Sequence, residues 1–196
     1  MFRYALGIAG RAEVGKTTLA REIEKYLRNK RGVPATILPF AGSLKVQVFM
    51  SLRLKNGRPY KLAKKLGLGV RYQDVFSKPT APEVRKLLQH YGAEKMFGDP
   101  AYWVKEWLYR TTLFVPRDAI VIADDVRFLQ ECEILRRVGS SIFLIRDGFE
   151  KPGNHVSETL SPDFCDEVVF LPPYLSPEYE ALVENICDKI LSEKGW

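Results

Sequence analysis

The stretch that most constrains this chain is GIAGRAEVGKTT, residues 7–18. A short apolar run, YALGIAG, leads into it. The segment KTTLAREIEKYLRNKRG follows, with Leu19, Ile23 and Leu27 spaced i, i+4 and i+8 along one helix face and Gly32 placed to close it. A glycine-bounded loop between a buried strand and a helix start can curl so that several backbone N–H groups face one anion, assisted by the partial positive charge of the helix end. Gly10, four residues, then Gly15, Lys16 and Thr17 complete the G-x-x-x-x-G-K-[ST] spacing in that setting. The expected donor-phosphate residues are therefore Gly10, Arg11, Ala12, Glu13, Val14, Gly15, Lys16, Thr17 and Thr18. Lys16 would reach the β- and γ-phosphate oxygens of ATP, and the Thr17 hydroxyl would ligate Mg²⁺. The plainer alternative is a turn that merely joins strand to helix.

Downstream, VPATILPFA (33–41) reads as a strand and SLKVQVFMSL (43–52) as a helix, while KNGRPYKLAKKLGLGVRYQ (55–73) reads as an irregular, basic insertion. PEVRKLLQHYGAEKMF (82–97) has Pro82 in its first turn, and PAYWVKEWLYRTTLF (100–114) follows the Asp99-Pro100 start signal; both predict helices. DAIVIADD (118–125) is a continuous apolar run ending in two acids, the form of a central parallel strand. FLQECEILRRVG (128–139) predicts a helix stopped by Gly139, SSIFLIRDG and CDEVVFLP predict strands, and SPEYEALVENICDKILSEK a terminal helix. The alternation predicts an α/β P-loop NTPase fold: a doubly wound, mostly parallel sheet flanked by helices, with a helical acceptor-binding or lid insertion. Its 196 residues suit a single domain, with a core of about 1–54 and 117–196 and a helical acceptor-side region of about 55–116.

IVIADDVRF brings Asp124 and Asp125 to a strand's carboxyl end, where ligands bind in open α/β sheets. One of them can hold Mg²⁺ or orient the attacking oxygen, and Arg127 can clamp a phosphate with its paired donors. Alternatively the acids cap the next helix and Arg127 pairs with them at the surface. No Asn-Lys-x-Asp stretch of a GTPase switch occurs, and the chain is short for an oligomeric ATPase motor, which leaves a compact kinase as the leading class. The net charge of +6 suits polyanionic ligands and, without a clustered basic run, is read as scattered surface charge; no stable nucleic-acid complex is expected. Cys132, Cys165 and Cys187 lie far apart without a CxxC pair, which argues against a metal site or disulfide framework. No charged leader or long apolar span is seen, so the expected location is cytoplasmic, with no membrane association.

Several separated stretches resemble the tailed-phage deoxynucleoside monophosphate kinases. After the P-loop, FAGSLK (40–45) is similar to that family's Phe-Ala-x-x-Leu-Lys segment. VRKLLQHYGAE (84–94) with DPAYWV (99–104) is similar to its Arg-x-Leu-Leu-Gln-x-x-Gly-Thr-Glu and Trp-Val stretches. DDVRFLQECEILRRVG (124–139) is similar to its Asp-Val-Arg-Phe-x-x-Glu helix start, and HVSE (155–158) to its His-x-Ser-Glu. The resemblance implies transfer of the ATP γ-phosphoryl group to a deoxynucleoside 5′-monophosphate. It implies Lys16, Asp125 and Arg127 as catalytic residues, Thr17 and Asp125 at Mg²⁺, and Lys45, Arg85, Gln89, Trp103, Arg127 and Glu158 on the acceptor side. Ala93 stands where the family commonly has Thr and Gln130 where it often has Asn, while KMFGD after Glu94 lacks an arginine found in many members. Animal-type phosphomevalonate kinases share a similar layout, so another phosphorylated acceptor stays open, as does a homodimer.

Two phosphate esters in one site call for Lys16, Arg85, Arg127 and Arg146 nearby, and Arg146 is expected among the donor-nucleotide contacts. Water must be excluded during transfer, which nominates Lys55–Tyr72 or Asp147–Pro162 as a closing segment. His90 is expected on an exposed helical face. Trp107, Tyr109, Cys132 and Cys187 are expected in the core.

Overall fold

The computed structural model describes residues 4–77, 80–146 and 160–194. Five strands, β1 (Tyr4–Gly10), β2 (Ala35–Ile37), β3 (Ile120–Val126), β4 (Gly139–Ile145) and β5 (Glu167–Phe170), form one sheet in the order β2-β3-β1-β4-β5. Every pairing is parallel. This is the α/β sheet that the alternating pattern predicts, although β2 spans only three residues.

Side chains alternate across a strand, and the alternation sorts this sheet into two faces. Tyr4, Leu6 and Ile8 of β1, Ile120 and Ile122 of β3, and Ile142 and Leu144 of β4 share one core with α1 (Lys16–Lys30) and α7 (Pro177–Lys194). Leu19, Ile23 and Leu27 are all buried there. Beyond α1 the chain turns through Gly32, and the Val33 N–H donates back to the Leu27 carbonyl at 2.9 Å. On the alternate face of β1, Gly7 lies against Leu135 of α6 (Leu129–Val138).

Gly139 ends α6, but not through a left-handed turn. Its φ of 174° is extended backbone that opens β4 directly. Glycine is required there by proximity: a Cβ would lie 1.8 Å from the Ala5 carbonyl oxygen of the neighbouring strand.

The chain divides into two compact units, Met1–Pro39 with Leu108–Trp196, and Phe40–Trp107. The first of these boundaries falls at residue 39. The reason is α2 (Gly42–Arg53): its Val48 and Leu52 are buried in a cluster with Leu62, Val75, Leu87 and Tyr91 of the second unit. That unit also holds α3 (Gly57–Lys65), a 3₁₀ turn at Tyr72–Phe76 and α4 (Pro82–Gly98), while the other boundary lies within α5 (Tyr102–Phe114).

The stretch 55–73, expected to be irregular, is largely ordered. Asn56 caps α3 through its side chain, and Arg58 forms a two-pronged ion pair with Glu94 of α4, at 2.7 and 2.8 Å. Glycine, proline and long basic residues hid this helix in the sequence; its buried face is only Pro59, Leu62 and Ala63. Pro82 does stand in the first turn of α4.

Candidate functional site

β1 ends at Gly10 and α1 begins at Lys16, so the glycine-bounded loop joins strand to helix directly. Val14 is buried in the sheet core and anchors the loop from within, while Ala12 and Glu13 are exposed. Gly15 has φ 115°, a left-handed conformation that side chains disfavour, and a Cβ there would come within 2.8 Å of Leu171. Glu13, at φ 64°, also stands in the left-handed region, where a non-glycine residue is uncommon. No side chain caps the start of α1 and no acid occupies its first turn, so its leading N–H groups are presented to an anion. Lys16 Nζ donates to the carbonyls of Gly10 (2.8 Å) and Arg11 (2.6 Å), which holds the ammonium over the loop.

β3 runs beside β1, with Ala9 registered to Val126, so the loop and the β3 terminus leave the sheet at the same edge. Asp124 shares the face of Ile120 and Ile122 and is 9 % exposed. Its Oδ2 accepts the Thr17 hydroxyl at 2.7 Å, linking the first turn of α1 to the acid strand. The residues alone left the metal role to either acid and the family resemblance implies Asp125, while the carboxylate that accepts the Thr17 hydroxyl is that of Asp124. The Thr17–Asp124 pair offers hard oxygen donors that fit Mg²⁺, an ion commonly held by one or two protein oxygens plus phosphate and water. Among the described residues there is no cluster of three His, Cys, Asp or Glu side chains suited to a metal held by protein alone.

Asp125, the next residue, is half-buried and its charge is felt by Glu131 of α6. Glu131 is 4 % exposed, and its Oε2 accepts the N–H groups of Arg127 (2.7 Å) and Phe128 (3.1 Å). Burial, and then the neighbouring Asp125 carboxylate, push Glu131 up to about 8. The backbone entering α6 is thus fixed at its first residues, and the exposed Arg127 leaves the sheet edge from an anchored N–H. Glu131 belongs to the motif but was not singled out from sequence; a Glu three residues into a helix is the available signal.

Beside the loop lies a cleft of about 480 Å³ lined in part by Gly15, Thr18, Arg146, Leu171, Tyr174 and Tyr179, with Pro172 next to Leu171. Arg146, expected among the donor contacts, is therefore brought to the loop. The wall that follows β5 was missed, because nothing in the spacing ties residues 171–179 to residues 15–18. Another cavity, tiny and far from the loop, is lined by Leu6, Ser140 and Asp166 and holds none of the expected residues.

The acceptor-side candidates lie in the second unit. Arg85 and Gln89 are one helical turn apart on α4, Arg85 exposed and Gln89 half-buried, and Lys45 is half-buried on α2. Trp103, expected as an acceptor contact, is packed into the core of this unit. It is 7 % exposed, its indole N–H donates to the Gly92 carbonyl at 3.2 Å, and its ring meets Tyr91 and Tyr102 edge-on. Gln47 forms a polar network absent from the sequence reading, accepting the Tyr91 hydroxyl at 2.8 Å and donating toward Glu106 at 3.3 Å. Glu158, His155 and most of the 147–162 segment lie outside the described residues.

Trp107 is buried against Phe40 as expected, while Tyr109 is 62 % exposed and is not a core residue. His90 is exposed, and Cys132 and Cys187 are buried. Cys165 is buried too, and its side chain hydrogen-bonds that of Cys132; this bond and burial push the Cys132 thiol up. Thiols distant in sequence thus meet in space, both free.

No protein-family model and no curated relative matches the chain. Among solved structures, it is similar to an APS kinase of Mycobacterium tuberculosis, at 14 % identity over 96 % of this chain and 97 % of that one, with a TM-score of 0.45. It is also similar to a shikimate kinase from Aquifex aeolicus (11 % identity, 96 % and 97 % covered, TM-score 0.44). A gluconokinase from Sinorhizobium meliloti 1021 matches at 13 % identity over 98 % of both chains, with a TM-score of 0.39. Likenesses this distant carry no weight for the chemistry. No described helix is long and apolar enough to cross a membrane.

Proposed function

We propose that this chain transfers the γ-phosphoryl group of ATP to a deoxynucleoside 5′-monophosphate, giving the diphosphate and ADP. The observation that carries the phosphotransfer reading is the 2.7 Å bond from Thr17 to Asp124, which joins an uncapped helix start behind a phosphate loop to an acid strand. The acceptor class rests on the sequence motifs at residues 40–45, 84–94, 99–104 and 124–139.

In this reading the loop N–H groups and Lys16 hold the donor phosphates and neutralise charge on the equatorial oxygens as the terminal group moves. Thr17 and Asp124 would hold Mg²⁺, which supplies further charge neutralisation when bound. Arg127 clamps the acceptor phosphate, one oxygen of which attacks the γ-phosphorus in line as the bond to the β–γ bridging oxygen breaks and ADP leaves. Asp125 bears on the acceptor side of the same edge. Arg85, Gln89 and Lys45 are proposed acceptor contacts. Arg146 and the Leu171–Pro172 wall seat the donor nucleoside, a planar cation and an apolar surface being suited to the faces of a base.

ADP release measured with each of the four dNMPs, AMP and phosphomevalonate tests the proposal. Stimulation by one or more dNMPs is expected. Stimulation by phosphomevalonate alone would move the acceptor class, and turnover by none, with tight and steeply salt-dependent DNA binding, would favour a non-catalytic nucleotide-binding module.

A further inference from the structure

Tyr179, in the first turn of α7, is 3 % exposed, and its hydroxyl has no hydrogen-bond partner among the described residues. A buried hydroxyl without a partner is uncommon in a native fold, because its lost hydration is uncompensated. The polar groups that bear on this phenol are Glu22, Tyr174 and Arg146, and all three line the cleft beside the phosphate loop. Burial pushes it up to about 12, so it stays a protonated donor at neutral pH.

Tyr174 lies over it, edge-on at a centroid distance of 5.3 Å. That cover is lightly held: the Tyr174 hydroxyl donates to Glu22 at 3.2 Å on an exposed surface, and the Tyr174 side chain itself is about half exposed. The next residue, Leu175, has φ 65°, a left-handed conformation in an exposed leucine, so the backbone that carries Tyr174 is strained beside the cleft.

We propose that the Tyr179 hydroxyl is a specificity contact for the donor nucleoside, donating to a polar atom of the base or ribose seated against Arg146 and Leu171–Pro172 once Tyr174 turns aside. The inference rests on the reading of the cleft as the donor site. It assigns Tyr179 a role that opposes stability: the hydroxyl is a cost in the free protein and a gain in the complex.

Tyr179→Phe in the full chain separates the two. ADP binding by calorimetry is expected to weaken by roughly 5- to 10-fold, while Tm stays level or rises, since an unpartnered buried hydroxyl has been removed. A structural hydroxyl would instead lower Tm, and a lowered Tm, with or without weaker binding, overturns the proposal. So does unchanged ADP affinity. Repeating the comparison with 2′-deoxy-ADP and GDP locates the partner: the ligand that no longer distinguishes Tyr179→Phe from the unaltered protein lacks the contacted atom. Failure of the unaltered protein to bind ADP would overturn the donor-site reading together with this contact, whereas equal binding by both proteins overturns the contact alone.

Discussion

Asp124 and Asp125 are adjacent at the end of β3, yet they keep different company. On the α1 face, Asp124 meets a hydroxyl that opens the phosphate-loop helix. Asp125 bears electrostatically on another carboxylate, that of Glu131 on α6, which burial first and the Asp125 charge second push toward its neutral form. In the proposed reading Asp124 would share an ion with Thr17, while Glu131 fixes the backbone that carries Arg127. The register of β3 on β1 is interrupted here, Gly7 facing Ala123 but Ala9 facing Val126, so an extra residue in β3 falls at the acid pair and the local backbone, not the acidity of either residue, sets their company.

Five substitutions test that contrast. Lys16→Ala sets the scale, since Lys16 serves the loop whichever acid matters; kcat/KM with the stimulating acceptor should fall by roughly 10³-fold. Asp124→Asn should lower kcat by about 10²-fold and raise the Mg²⁺ concentration needed for half-maximal rate, while Asp125→Asn leaves that Mg²⁺ requirement unchanged. Equal Mg²⁺ effects from the two acids would erase the contrast.

Arg127→Ala should act mainly through the acceptor, raising its KM by about tenfold or more with little change in the KM for ATP. An unimpaired variant would remove Arg127 from the site. The smallest effect is on stability. Glu131 holds its proton in the folded state up to about 8 but loses it near 4.5 when unfolded. Its contribution is therefore complete below about 4.5, declines as pH rises through that window and is gone above about 8. In metal-free protein, Glu131→Gln should flatten the loss of Tm between pH 5 and pH 8.5, and an unchanged slope would assign the pH dependence elsewhere.

Much of the sheet was legible because each strand and helix carries its pattern within a dozen residues: Leu19, Ile23 and Leu27 point one way whatever packs on them. Residues whose partners come from elsewhere were not legible. Trp103 and Tyr109 sit on the same helix, α5, but YWVKEWLYRTTLF is apolar on several sides, so periodicity placed both on a helix without saying which would be covered. The grouping of α2 with the second unit and the meeting of Cys132 with Cys165 follow from packing between separated segments. The cleft wall at Leu171 and Pro172 escaped for the same reason.

Residues 7–18 determined by themselves that a strand would hand over to a helix through a loop of inward-facing N–H groups, because that demand is local: glycines at two positions, a lysine and a hydroxyl beside them. Only the tertiary structure decided which acid the hydroxyl would meet and which side chains would wall the neighbouring cleft. Thr17 and Asp124 are 107 positions apart, and the parallel pairing of β1 with β3, together with the face on which α1 packs, brings that carboxylate to the first turn of the helix.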